Sequence, residues 1–158
     1  MENTVTTSWR RLSDRWRRDP DTGSTRSAQM PPVQPLRILI VDSDISSSGS
    51  LERLLHASGY SQTRVAYSGH AALAIAAEFQ PSVVLLELNL LDMSGFEVAR
   101  LLREQAQGHD LRLIALTHSG EHAGRELARV AGFERYLLKP VAAAGLAGLS
   151  QMQGDRDE

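Results

Sequence analysis

From residue 36 onward, short apolar runs alternate with segments in which apolar residues recur every three or four positions. The first pattern is typical of buried strands and the second of amphipathic helices. The predicted strands are Leu36–Val41, Thr63–Tyr67, Ser82–Glu87, Leu111–Leu116 and Tyr136–Leu138. The predicted helices are Ser46–Ser58, His70–Phe79, Ser94–Glu104, Glu121–Ala131 and Val141–Met152. This alternation predicts βαβ units and therefore a parallel sheet.

The predicted fold is an α/β, doubly wound, five-stranded parallel sheet with helices on both faces. Gly59 and Gly132 follow the first and fourth helices, where glycine commonly ends a helix. The last helix is weakened by two internal glycines, Gly145 and Gly148. The residues expected to open the first helix as caps are the serines Ser46, Ser47, Ser48 and Ser50.

Residues 1–35 differ from the rest of the chain in composition and in hydrophobic pattern. They hold both tryptophans and four of the six prolines, and no hydrophobic period is sustained. This composition predicts a disordered N-terminal tail that ends in a Pro-rich linker, Met30–Pro35. Trp9, Leu12 and Trp16 share one face of a short arginine-rich helix. That patch is open to three interpretations: a solvated tail, a helix that docks on a partner protein, or a contact with anionic lipid. Residues 153–158 are expected to be a flexible acidic C-terminus.

Composition and charge narrow the function classes. The net charge of −2 favours neither nucleic acid nor membrane. The chain has no cysteine, which excludes disulfides and thiolate chemistry. No apolar run approaches the length of a membrane span, and the N-terminus lacks the apolar core of a secretory signal. A cytoplasmic protein is therefore expected. Because only a short segment follows Pro140, we expect no DNA-binding domain.

Polar residues follow the predicted strands. In open parallel sheets, ligands sit at the carboxyl ends of the strands. The residues found there are Asp42, Ser43, Asp44, Glu87, Asn89, Thr117, His118 and Lys139. Lys139 is the only lysine among the 17 basic residues, and the other 16 are arginine. An ammonium is a compact point charge, whereas guanidinium is a planar fork, so a lone lysine suggests a position where the point charge is needed.

Four segments at these strand ends, ILIVDSD, PSVVLLELNLLDMSGFEV, LIALTH and YLLKPV, carry a family resemblance. Over about residues 36–152 the chain resembles the receiver domain of two-component response regulators. The resemblance implies a flavodoxin-like sheet of strand order 2-1-3-4-5. It also implies that family members take a phosphoryl group from a histidine kinase onto an aspartate beside Mg²⁺.

The resemblance assigns an acidic pocket in which two positions differ from the family. Asp42 matches the first of two adjacent acids, and Ser43 replaces the second, which normally touches the metal. Glu87 stands at the phospho-acceptor position in place of aspartate. Asn89 matches the residue whose backbone carbonyl binds the metal, so the implied metal set is Asp42, Glu87 and Asn89.

The resemblance also assigns a switch. Thr117 matches the hydroxyl residue that turns toward the phosphoryl group, and Tyr136 matches the aromatic residue that moves inward on activation. Lys139 matches the lysine that pairs with the phosphoryl group. The cis peptide bond often found in the family would precede Pro140.

The two substitutions predict an atypical receiver that is not an enzyme. Ser43 lacks the carboxylate that the family has at this position, which weakens a Mg²⁺ site. We therefore expect no cofactor, and we expect Mg²⁺ to bind weakly at most. Glu87 carries its carboxylate about 1.5 Å further out than aspartate would, which disturbs in-line geometry. Glu87 either imitates the phosphorylated state or is only a charge partner for Lys139 in a retired site.

We expect a stand-alone protein-binding switch or adaptor. Its partner would be a signalling protein: a histidine kinase, a phosphotransfer protein or a downstream effector. The alternative is a working phospho-acceptor, favoured by the retained Asp42, Thr117 and Lys139. An unrelated flavodoxin-like enzyme is a third possibility, but no glycine-rich phosphate loop follows the first strand.

Overall fold

The structure, a computed structural model, describes residues 35–150, and these form a single parallel sheet with flanking helices. The strands are β1 (Arg37–Val41), β2 (Gln62–Ala66), β3 (Val83–Glu87), β4 (Arg112–Thr117) and β5 (Arg135–Leu138). The helices are α1 (Ile45–Ala57), α2 (Gly69–Phe79), α3 (Gly95–Ala106) and α4 (His122–Val130), followed by a 3₁₀ helix at Ala143–Leu146. The predictions for residues 1–34 and 153–158 lie outside the described residues.

The strand order is β2-β1-β3-β4-β5, and every neighbouring pair is parallel. This confirms the predicted flavodoxin-like topology. All residues of β3 and β4 are buried, and so are the last four of β1, whereas the edge strands β2 and β5 are partly exposed. Central strands that helices cover on both faces have no solvated side, so they read as unbroken apolar runs.

Side chains alternate across the sheet and build two cores. Leu39, Val41, Val84, Leu86 and Leu113 point to the face covered by α2, α3 and α4. The opposite face carries the residues between them along the strands, and it packs against α1 and the C-terminal segment. Its members include Ile38, Ile40, Leu85, Ile114, Leu51, Leu55, Leu146 and Leu149. The sheet is thereby held rigidly between two apolar layers, which fixes its carboxyl edge.

The cap of α1 differs from the prediction. Asp44, and none of the serines, is its N-cap: Asp44 Oδ1 accepts hydrogen bonds from the backbone N–H groups of Ser46 (2.8 Å) and Ser47 (3.1 Å). An aspartate in extended geometry can reach both groups, so Ser46, Ser47 and Ser48 lie in the first turn of the helix and Ser50 in the second. Ser48 turns back, and its hydroxyl donates to the carbonyl oxygen of Ile45 at 3.0 Å.

The predicted final helix, Val141–Met152, is wrong over the residues that the structure describes. Only Ala143–Leu146 is helical there, as a single 3₁₀ turn, and residues 147–150 form a turn. Gly148 has a φ of +76°, which belongs to the left-handed region and cannot continue a right-handed helix. Leu146 and Leu149 are nevertheless buried, so the segment packs on the sheet without being an α-helix.

The longest described helix, α1, has 13 residues. No helix within residues 35–150 combines the length and the apolar composition needed to cross a membrane.

Candidate functional site

The carboxyl ends of four strands place the predicted site residues along one edge of the sheet. Asp42 follows β1, Glu87 ends β3, Thr117 ends β4 and Lys139 follows β5. Lys139 is held there by its backbone N–H, which donates to the carbonyl oxygen of Thr117 at 2.8 Å. The peptide bond from Lys139 to Pro140 is cis, as the resemblance implied.

Lys139 is paired with two carboxylates. Its Nζ lies 2.6 Å from Asp42 Oδ2 and 3.0 Å from Glu87 Oε1. The side chains of Lys139, Asp42 and Glu87 are 3%, 0% and 10% exposed, so water screens these charges little. Buried ions are tolerated when they are paired. The pairing is by charge and distance, because within residues 35–150 neither Lys139 Nζ nor Asp42 Oδ2 has a partner in hydrogen-bond geometry. The chain's only lysine is therefore the counter-ion of two acids.

The two acids are not equivalent. Burial would raise the pKa of Asp42, but hydrogen bonds with Glu87 and Lys139 and from the Asp44 N–H outweigh it and lower that pKa. Burial and the hydrogen bond with Asp42 raise the pKa of Glu87, while Lys139 opposes this rise. Two carboxyl groups that share one cation cannot both ionise freely. Asp42 is therefore the carboxyl group of the cluster that stays ionised, and Glu87 is the one that is protonated more readily.

Ser43 contacts the carboxylate at the acceptor position. Its backbone N–H and its hydroxyl both donate to Glu87 Oε2, each at 3.4 Å. These are long and therefore weak hydrogen bonds. Where the family has a second acid, this chain has a neutral donor that faces the Glu87 carboxylate.

The contacts that Asp44 and Ser47 make with Asp42 were not predicted. The Asp44 backbone N–H donates to Asp42 Oδ1 at 3.0 Å, and the nearby Ser47 side chain helps to lower the pKa of Asp42. Asp44 is the N-cap of α1 and Ser47 lies in its first turn, so the start of this helix contacts the Asp42 carboxylate. The sequence signal was available: an aspartate just before an apolar-periodic segment is a common N-cap, and this places Asp44 and the first helical turn beside Asp42.

The donors at this edge fit a magnesium ion poorly. Asp42 Oδ2 and Glu87 Oε1 both face Lys139, and Ser43 offers a neutral hydroxyl. Asn89, whose backbone carbonyl is the third implied ligand, lies in the loop after β3. Among residues 35–150, no three acidic or histidine side chains gather closely enough to hold a metal ion. Mg²⁺ prefers near-octahedral oxygen ligands, so weak binding stays our prediction.

Thr117 and Tyr136 meet at the loop after β4. Thr117 is 4% exposed, and its Oγ1 accepts a hydrogen bond from the Ser119 N–H at 3.1 Å. The Tyr136 hydroxyl donates to the Ser119 carbonyl oxygen at 2.7 Å, and the Arg125 guanidinium lies 5.5 Å from the centre of its ring. Ser119 therefore links the two predicted switch residues. His118 is exposed and lines a cavity of about 330 Å³ beside Lys139.

Helix α4 and strand β5 present an apolar surface. On α4 only Ala128 is buried, whereas Leu127 and Val130 are 61% and 73% exposed. Leu138, on β5, is 43% exposed. Helix α4 therefore attaches to the domain through a small residue and turns larger apolar side chains outward.

Comparison with known proteins agrees with this geometry. The model of the response regulator receiver domain matches residues 38–149. The chain is 38% identical over 108 residues to the response regulator MprA of Mycolicibacterium vanbaalenii, covering 68% of this chain and 46% of that protein. It is 30% identical over 108 residues to the polar-differentiation response regulator DivK of Brucella anthropi, covering 68% and 87%. The structure of the chemotaxis protein CheY4 of Vibrio cholerae superposes with a TM-score of 0.65 at 27% identity, covering 75% and 96%. The chain thus spans about half the length of the MprA proteins that it matches.

Proposed function

The chain belongs to the response regulator receiver domain family, and on that premise we propose that it is an atypical receiver that binds a signalling protein without being phosphorylated at Glu87. The observation that carries this proposal is the closed cluster in which Lys139 is already paired with Asp42 and Glu87. The domain is then a cytoplasmic binding switch or adaptor and not an enzyme.

The chemistry of phosphoryl transfer supports this proposal. Such transfer depends on an in-line nucleophile and on cations that neutralise the transferred group. Glu87 holds its carboxylate 3.0 Å from the only lysine, so that ammonium is engaged before any phosphoryl group arrives. Ser43 adds no negative charge that would recruit Mg²⁺. Each of these features raises the barrier to phosphorylation at Glu87.

The exposed apolar side chains of α4 and β5 supply a surface for the partner. Leu127, Val130 and Leu138 are the candidates for its centre, because desolvating large apolar side chains drives association. The partner class is a histidine kinase, a phosphotransfer protein or a downstream effector.

A working phospho-acceptor is the second candidate. It is favoured by the presence of Asp42, Thr117 and Lys139 at one sheet edge, which are residues that the family uses for phosphoryl transfer. In this alternative Glu87 releases Lys139 and accepts the phosphoryl group itself.

Partner capture with and without a phosphodonor separates the two candidates. The immobilised full chain is incubated with cell extract, alone or with acetyl phosphate and Mg²⁺, and the retained proteins are identified. A binding switch that is independent of phosphorylation retains the same partner in both samples, and loses it in a Leu127→Asp/Val130→Asp variant. A phospho-acceptor retains a partner only with the donor, which would overturn the proposal.

A further inference from the structure

A second group of contacts at the same sheet edge joins the loop after β3 to the first turn of α2. Asp92 Oδ1 accepts a hydrogen bond from the Gly69 backbone N–H at 2.8 Å. Asp92 Oδ2 accepts from the His70 backbone N–H at 3.0 Å and pairs with His70 Nδ1 at 2.7 Å. The hydrogen bonds from Gly69 and His70 hold the pKa of Asp92 well below its usual range. An ionised carboxylate in the loop after β3 therefore connects that loop to the first turn of α2, more than 20 residues earlier in the chain.

Close packing reinforces this tie. A Cβ atom at Gly69 would overlap Met93 Cγ and Sδ, and it would lie 2.8 Å from Val98 Cγ2. The first turn of α2 thus rests directly on the loop that carries Asp92.

The same loop closes back on the acceptor position. The Gly95 backbone N–H donates to the Leu88 carbonyl oxygen at 2.9 Å, and Asn89 forms a bridge with Ser94. A Cβ atom at Gly95 would lie 2.5 Å from the Glu87 carbonyl oxygen and 2.6 Å from Leu88 Cα. The end of the loop is therefore seated on the backbone of Glu87.

We propose that Asp92 is a positioning residue for the Glu87 site. By fixing the loop to α2, Asp92 supplements the pairing of β3 with β4 in holding the backbone that follows Glu87, and with it the distance between Glu87 and Lys139. The proposal rests on the proposed function only in taking Glu87 as the centre of the switch. His70 strengthens the tie from a position that is 78% exposed, where a partner can reach it.

Simple capping of α2 does not account for this arrangement. The helix has its own N-cap in Ser68, whose Oγ accepts from the Ala71 N–H at 3.1 Å. Asp92 adds a link to a different segment of the chain. Ser68 and Asp92 therefore form a matched pair: both bind N–H groups of the same helix end, and only Asp92 connects that end to the loop.

Amide spectra of ¹⁵N-labelled full-length chain test the proposal through Ser43, whose N–H faces Glu87 Oε2. Asp92→Ala is expected to shift the Ser43 resonance and to make the Gly95 N–H exchange roughly tenfold faster, the effect of losing about one hydrogen bond. Ser68→Ala, the control, is expected to disturb residues 69–72 and to leave Ser43 and Gly95 unchanged. Asp92→Asn, which keeps the size and one acceptor oxygen, is expected to restore part of the Gly95 protection.

Changes confined to residues 69–72 in both Asp92→Ala and Asp92→Asn would overturn the positioning role. If Asp92→Ala fails to fold, the same spectra of Asp92→Asn decide the matter alone. No partner or phosphodonor is used, so failure here is distinct from failure of the proposed function, which concerns phosphorylation and binding.

Discussion

Glu87 Oε1 lies 3.0 Å from Lys139 Nζ, so the side chain at the acceptor position pairs directly with the only lysine of the chain. In the family this lysine pairs with the phosphoryl group. Here the contact is made by a carboxylate that is already part of the chain, and Asp42 completes it at 2.6 Å. The position of the acceptor aspartate thus holds a longer carboxylate side chain that is already in contact with this lysine.

Lys139→Met should destabilise the domain strongly. Removing the ammonium leaves Asp42 and Glu87 buried without a counter-ion, and breaking a buried pair in this way costs about 3–5 kcal/mol. Urea unfolding at neutral pH measures this change in the free energy of unfolding. Adding Glu87→Gln to Lys139→Met should recover part of the loss, because one of the two uncompensated charges is removed.

Arg100→Met is the matched control for that experiment. Arg100 also pairs with two acids, Glu97 and Glu104, but all three side chains are about half exposed. Exposed ion pairs contribute little to stability, so the free energy of unfolding of this variant should be close to that of the parent. Equal losses in Arg100→Met and Lys139→Met would contradict the buried-cluster account.

Glu87→Gln should stabilise the domain at high pH and not at low pH. The pKa of Glu87 is raised in the folded state from its ordinary value of 4.5. The folded state therefore holds this proton more tightly, and folding loses free energy as pH rises through the folded pKa. Glutamine carries no such cost. Urea midpoints of the two proteins should separate as pH rises from 4.5 to the folded pKa of Glu87 and stay apart above it, a range in which Asp42, whose pKa is lowered from 3.8, is ionised in the parent.

The effect of Gly124→Ala on the free energy of unfolding should depend on the Tyr136 hydroxyl. A Cβ atom at Gly124 would lie 2.9 Å from Tyr136 Oη, which is hydrogen-bonded to Ser119. In the parent the substitution displaces that hydroxyl, which offsets the helix-propensity gain of up to about 1 kcal/mol. In a Tyr136→Phe background the gain should appear in full. A double-mutant cycle by urea unfolding should give a coupling of about 1 kcal/mol, and a coupling of zero would refute the contact.

Gly148→Ala distinguishes the observed C-terminal turn from the helix that the sequence predicted. At a φ of +76°, alanine is disfavoured by about 1 kcal/mol or more, so the variant should be less stable than the parent. In a continuous helix the same substitution would stabilise by up to about 1 kcal/mol. The sign of the change in thermal midpoint decides between them.

The apolar runs predicted the sheet well because its central strands are buried on both faces. LRILIV, SVVLLE and LRLIAL have no solvated side, so their pattern contains little ambiguity. The strand-end rule then located Asp42, Glu87 and Lys139. The C-terminal helix failed for a local reason: apolar residues at Leu146 and Leu149 fit a helical period, but Gly148 adopts a left-handed conformation that the period does not reveal.

Other features depend on tertiary structure and left no clear signal in the sequence. Asp92 and His70 are 22 residues apart, and only the packing of α2 on the loop after β3 brings them together. The sequence indicated that Ser43 replaces a metal ligand. It did not reveal that Ser43 donates hydrogen bonds to Glu87, because that contact depends on the length of the glutamate side chain and on the register of β1 with β3.

The most direct test of the central claim is the intact mass of the full-length chain after incubation with acetyl phosphate and Mg²⁺. The account predicts the unmodified mass for the parent, because Glu87 is paired with Lys139 and Ser43 supplies no metal ligand. The matched control, Ser43→Asp/Glu87→Asp, restores both family positions and should gain one phosphoryl group. A phosphoryl adduct on the parent chain that peptide mapping places at Glu87 would contradict the account.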